Sequence, residues 1–117
     1  MTRLTIRIDL GKTAAIGPGK AKLLEKIAEC GSIRRAAAAM DMSYRRAWLL
    51  VHELERIMGA PVVAVATGGT KGGGAALTRL GASVLAHYRA IERRAHRSTA
   101  TERAALARLA RRKTGTR

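Results

Sequence analysis

The chain is poor in cysteine, aromatic rings, acidic residues and long apolar runs, and each shortage excludes something. A lone Cys30 among 117 residues can form no internal disulfide and cannot build a cysteine-rich zinc site, which points to a reducing compartment, the cytoplasm being the simplest. His52, His87 and His96 share no metal-ligand spacing with one another or with Cys30, and no carboxylate pair is flanked by a nucleophile and a base. The expectation is therefore no metal, no cofactor and no enzyme activity. The longest uncharged stretch, Ile57 to Thr70, is broken by Gly59, Pro61, Gly68 and Gly69 and falls short of the roughly 20 apolar residues that span a bilayer. Arg3, Arg7 and Asp9 interrupt the N-terminus before a signal core could form. Only Tyr44, Trp48 and Tyr88 could stack on bases, too few for a single-strand or RNA platform.

What is present in excess is positive charge. Against 8 acidic residues stand 23 basic ones, a net +15, of which residues 89–117 hold +8. Such a field attracts polyanions, so double-stranded DNA is the first partner to expect. A membrane role is disfavoured because the basic tail has little besides Leu106 and Leu109 to insert. Apolar residues make up 47%, enough for one modest core. The expected organisation is a domain over 1–97 and a basic tail over 98–117, helical or disordered, which as a solvated arm would add nonspecific DNA affinity.

Alternation of Leu4, Ile6 and Ile8 with Thr5, Arg7 and Asp9 predicts a strand at 3–9. Pro18 suits a first helical turn, Leu23, Leu24, Ile27 and Ala28 share a face, and Gly31 supplies a left-handed stop, giving a helix over 18–30. Ser32 caps the next helix, whose Ile33, Ala36, Ala37 and Met40 form a stripe beside four consecutive alanines that keep it slim. Asp41 sits in the sharp turn that follows, as a residue tolerant of left-handed geometry, and Ser43 caps a third helix. Ala47, Leu50, Val51, Leu54, Ile57 and Met58 line one side of that helix, which Gly59 and Pro61 terminate. Trp48 is expected in the core. Two capped helices separated by so short a turn read as a helix-turn-helix.

Val62 to Ala66, a glycine-rich tip over 67–74 and a return at Ala75 to Leu77 predict a β-hairpin wing. Thr78 caps a fourth helix in which Leu80, Val84, Tyr88, Ile91 and Ala95 recur at a narrow spacing that suits a helix-to-helix dimer seam. The fold class is mainly α with a small β-hairpin: a winged helix-turn-helix with a long C-terminal dimerisation helix.

Ser43, Tyr44, Arg45 and Arg46 open the second helix of the motif, the turn that such motifs direct into a major groove, and a guanidinium can donate two hydrogen bonds to guanine O6 and N7. The alternative is a solvated helix face; Tyr44 either reads a base edge or packs on Trp48, and Ser43 can serve only as a cap. Arg34 and Arg35 begin the preceding helix, where they either hold phosphates or merely solubilise an alanine-rich segment. Lys71, with Gly72 and Gly73, is either a wing contact to backbone or minor groove or a hairpin tip of no function. Gly11-Lys12-Thr13 has the ending of a phosphate loop, but Ile6 occupies the place of its first glycine.

Gly31-Ser-Ile, the alanine pair beyond it, Met42-Ser-Tyr-Arg-Arg-Ala-Trp-Leu-Leu-Val51, the Thr67-Gly-Gly wing with its later glycine triplet, and Leu77-Thr-(x)-Leu-Gly81 together resemble a known family over about residues 3 to 95. It is similar to the N-terminal winged-helix domain of ModE-type molybdate-responsive regulators, itself related to the LysR-type winged helix. The resemblance implies a homodimeric repressor or activator with Ser43, Tyr44, Arg45 and Arg46 in the major groove, Lys71 in the wing contact and the fourth helix in the dimer seam; the expected location is the cytoplasm, associated with the nucleoid. Asp41 replaces a usual glycine and Arg79 a frequent proline; both are compatible with the same backbone. The oxyanion-binding module of full-length members lies outside these 117 residues, so no molybdate pocket is assigned. The competing class is a nonspecific architectural DNA-binding protein, in which charge alone binds any duplex.

Overall fold

The computed structural model describes residues 2–66 and 74–115, with side chains as far as residue 110. The first elements are two-residue strands, β1 (Ile8–Asp9) and β2 (Ala15–Ile16), paired antiparallel as Ile8 with Ile16 and Asp9 with Ala15. The strand expected over 3–9 is thus real only at its end. Its partner stops at Ile16 because Gly17 and Pro18 start α1 (Pro18–Cys30), which leaves the backbone of residues 3–7 without a ladder. Ile6 is tied down differently: its carbonyl accepts a 2.6 Å hydrogen bond from the Tyr88 hydroxyl.

α1 ends where Gly31 adopts φ 69°, and the glycine N–H returns to the Ile27 carbonyl. α2 (Ile33–Ala39) and α3 (Tyr44–Met58) start on Ser32 and Ser43, whose hydroxyls accept from the backbone N–H of Arg35 and Arg46 at 3.1 and 3.0 Å. Between them Asp41 takes the left-handed φ of 55°, the conformation its position in the turn requires. α3 closes at Gly59, with φ 74°.

The hairpin follows as β3 (Val63–Ala66) and β4 (Gly74–Leu77), in the register Val63 with Leu77 through Ala66 with Gly74. Its tip, including Lys71, Gly72 and Gly73, lies outside the described residues. The Ala75 N–H donates to the Gly31 carbonyl at 2.8 Å, so the returning strand is anchored on the end of α1. α4 (Arg79–Ser98) is capped by Thr78, whose hydroxyl accepts from the Gly81 N–H and donates to the Pro61 carbonyl, locking the helix to the hairpin's entry. The tail forms α5 (Ala100–Gly115), on which Leu106 and Leu109 remain exposed.

One core joins these elements: Leu23, Leu24 and Ile27 of α1, Ile33, Ala36 and Ala37 of α2, Ala47, Val51 and Leu54 of α3, Val62 and Val63, and Tyr88 of α4. Burying each of the larger side chains contributes roughly 1.5–3 kcal/mol. Two expectations fail here. Trp48 is 41% exposed, because Ala47 holds the inward position and the next residue is rotated away by about 100°. Tyr88, expected in a dimer seam, is only 2% exposed: the spacing of Leu80, Val84 and Tyr88 serves packing of α4 on its own chain, with Leu80 and Val84 against the same core. Burial holds the Tyr88 phenol above its ordinary pKa. Ile91, the fourth of that series, is 43% exposed.

α4 approaches the hairpin so closely that a Cβ on Gly81 would collide with the Val62 carbonyl, a backbone atom that cannot rotate away. Gly81→Ala should therefore cost about 1–3 kcal/mol in urea unfolding. Gly19→Ala, where a Cβ meets nothing within 4 Å, should leave the midpoint almost unchanged; equal effects at the two positions would contradict the close approach.

Candidate nucleic-acid interface

The first turns of α2 and α3 come together on one surface. Ala36 and Ala37 of α2 and Ala47 of α3 are at most 1% exposed and belong to the same core, small side chains that suit close packing of the two helices. The Arg34 guanidinium lies 4.6 Å from the centroid of the Tyr44 ring, a cation–π contact between the two helices of the motif. Tyr44 keeps 42% of its surface exposed. It does not pack on Trp48, which instead stacks on His52 with ring centroids 3.5 Å apart and planes 22° from parallel.

Arg35, Arg45 and Arg46 are exposed, and among the described residues none of their guanidinium groups forms an ion pair or a side-chain hydrogen bond. Two helix N-termini add their partial positive charge to the same surface. The Ser43 hydroxyl is occupied as a cap by the Arg46 N–H but retains its own proton to donate. Of the sequence-predicted residues, Ser43, Tyr44, Arg45, Arg46, Arg34 and Arg35 thus share one region, whereas Lys71, Gly72 and Gly73 fall outside the description.

Three side chains, Lys20, Glu55 and Arg89, support the site mostly through partners far away in the sequence. Lys20 of α1 donates 2.6 Å to the Ala15 carbonyl and pairs with Glu53 of α3 at 2.8 Å, fixing α3 against β2 and α1. The Glu55 carboxylate accepts from the Val62 and Val63 N–H groups at 2.9 and 3.3 Å, tying α3 to the start of the hairpin. Arg89 of α4 bridges Glu25 of α1 at 3.0 Å and Glu92 at 2.7 Å. The Arg89–Glu92 pair and the stack of Trp48 on His52 could have been read from spacing, as i,i+3 and i,i+4 pairs. The described residues hold no group of three or more His, Cys, Asp or Glu side chains placed to bind a metal, and no helix among them is long and apolar enough to cross a membrane.

Residues 19–82 match the family model described as bacterial regulatory helix-turn-helix protein, lysR family. The chain belongs to this family. Among curated proteins, this lysR-family chain is 36% identical over 92 residues to the molybdenum transport protein ModE of Azotobacter vinelandii, covering 79% of itself and 33% of the relative. It is 43% identical over 79 residues to the molybdenum-pterin-binding protein MopB of Rhodobacter capsulatus, 68% and 29% of the two chains. Against the DNA-binding transcriptional dual regulator ModE of Escherichia coli K12 it is 39% identical over 85 residues, 73% and 32%. The chain therefore spans about a third of the length of these relatives. Among solved structures, the CbnR DNA-binding domain in complex with DNA superposes with a TM-score of 0.58 at 26% identity, over 75% of this chain and 95% of that one.

A hydrogen bond from Lys20 is the chief cause holding the Glu53 carboxyl below its ordinary pKa; the charges of Lys20, Arg56 and Arg46 reinforce it and partial burial opposes it. A carboxylate depressed by folding contributes stability that is complete above the unfolded glutamate pKa, about 4.3, and is lost as pH falls through the lower folded value. Urea midpoints of wild type and Glu53→Gln should thus differ at pH 6 and converge as the pH is lowered below about 4. A constant difference across that range would contradict the Lys20 pairing.

Proposed function

We propose that this chain is the DNA-binding portion of a dimeric, sequence-specific transcriptional regulator. In it, Arg45 and Arg46, with Ser43 and Tyr44, address base edges, Arg34 and Arg35 hold phosphates, and the wing around Lys71, Gly72 and Gly73 meets the backbone or minor groove. The observation that carries this reading is the exposed cluster of guanidinium groups at the first turns of α2 and α3, none of which forms an ion pair among the described residues. Similarity to a DNA complex and to proteins named as regulators supports it. The relatives named for molybdenum transport and molybdenum-pterin binding suggest molybdenum-related targets, and the reducing cytoplasm is the matching compartment.

Dimerisation is assigned to α4, now through Ile91 and the exposed flank beside it rather than Tyr88. An apolar groove bordered by Leu10, Met58, Val84 and Ile91 adjoins that flank and supports the same surface. Ile91→Glu should shift the chain toward monomer in analytical ultracentrifugation; an unchanged sedimentation coefficient would place the interface elsewhere.

A second reading, nonspecific architectural binding, is favoured by α5, a helix outside the core within the +8 segment. Fluorescence-anisotropy titration against a selected site and a random duplex separates the two. A regulator should prefer its site by on the order of 10³ or more at physiological salt, and a preference below about tenfold would establish the architectural reading. Within the regulator reading, Arg46→Ala should cost about 1–3 kcal/mol and relax specificity, while Lys71→Ala should weaken all sequences alike and reduce the salt slope by about one. Full selectivity in Arg46→Ala would defeat that division of roles.

A further inference from the structure

The exposed face of α3 is not uniformly polar. Counting about 100° per residue, Arg45, Leu49, His52 and Arg56 point opposite to the core residues Ala47, Val51 and Leu54, with Trp48 beside them. Trp48 and Leu49 are 41% and 44% exposed, an indole face and a branched aliphatic side chain set between arginines one to two turns apart. The indole is held in place. Its ring stacks on the His52 imidazole, and His52 Nδ1–H donates 3.0 Å to the Trp48 carbonyl, the only direction a carbonyl permits. The indole N–H has no partner among the described residues. An indole so restrained loses little freedom when it is covered.

We propose that Trp48 and Leu49 read thymine 5-methyl groups in the major groove, so that α3 recognises thymine by apolar contact while Arg45 recognises guanine by hydrogen bonding. This rests on the reading of α3 as the DNA-facing helix. The occupant follows from charge and chemistry. Of the neighbouring carboxylates, Glu53 is paired with Lys20, and Glu55 is held by the Val62 and Val63 N–H groups with His52 4.0 Å away, so among the described residues Arg45 and Arg56 are the charged groups beside the patch that form no ion pair. A cationic rim repels a second copy of a chain carrying +15 and attracts a duplex. On the major-groove edges of a duplex the thymine methyl is the one apolar group available.

The test is a titration of the full 117-residue chain on its selected duplex, with each thymine replaced in turn by deoxyuridine, which keeps every hydrogen-bonding edge and lacks only the methyl. At one or more thymines per half-site the wild type should bind about fourfold more weakly, the value of one buried methyl group. Leu49→Ala or Trp48→Ala should then bind the thymine and uracil duplexes equally at that position. The wild-type series does not depend on either variant folding, and both substitutions are at half-exposed positions, which circular dichroism can check. If no uracil duplex binds the wild type even twofold more weakly while Arg45→Ala still reduces affinity, the thymine proposal fails and the DNA reading stands. If no duplex is selected above random sequence, both fall. Uracil sensitivity that persists in Trp48→Ala and Leu49→Ala, with altered sedimentation instead, would assign the patch to a protein contact and overturn the proposal.

Discussion

The close approach of α2 to its neighbours governs the geometry of the whole interface. Ala36, Ala37 and Ala47 carry nothing longer than a methyl group into the core shared by α2 and α3, and all three are essentially inaccessible to solvent. Bulkier residues there would separate the helix axes, because a packed interior does not absorb extra methylenes without displacement. The first turns of α2 and α3 meet where the Arg34 guanidinium reaches across to the Tyr44 ring. The cationic surface is thus a consequence of how little side chain lies beneath it.

Electrostatics completes what packing begins. Glu25 and Glu92 are taken up by Arg89, Glu53 by Lys20, Glu55 by two backbone N–H groups, Glu29 by Lys26 and Asp9 by Arg7. Two of these contacts join α1 to α3 and to α4 and a third ties α3 to the start of the hairpin, so the scarce carboxylates act as structural ties. Among the described residues, the guanidinium groups at the first turns of α2 and α3 form no ion pair, Arg34 meeting only the Tyr44 ring. A surface of that kind has its strongest interaction still to make, with an external polyanion.

Much of this was legible beforehand because it is local. Gly31, Gly59 and Asp41 adopt the left-handed geometry their places in the sequence call for, and Ser32, Ser43 and Thr78 cap the helices they precede. Misreadings arose where a pattern has two physical causes. A narrow apolar repeat along α4 is compatible with a partner helix or with the chain's own core, and Tyr88 was settled only by its hydrogen bond to Ile6, a residue 82 positions away. Trp48 illustrates the converse: a large apolar side chain is usually buried, yet one step round the helix from Ala47 placed it outside.

Capping, turn chemistry, the helical stripes and the excess of positive charge are properties of neighbouring residues and of composition, and they alone determined the helix-turn-helix, the hairpin and a strongly positive net charge. Which side chains face outward is a different kind of quantity, decided by the docking of α3 and α4 onto a shared core. Interactions such as Arg34 with Tyr44, Lys20 with Glu53 or Glu55 with Val62 exist only after residues distant in the chain have been brought together, because burial and ion pairing depend on distance in space rather than along the backbone.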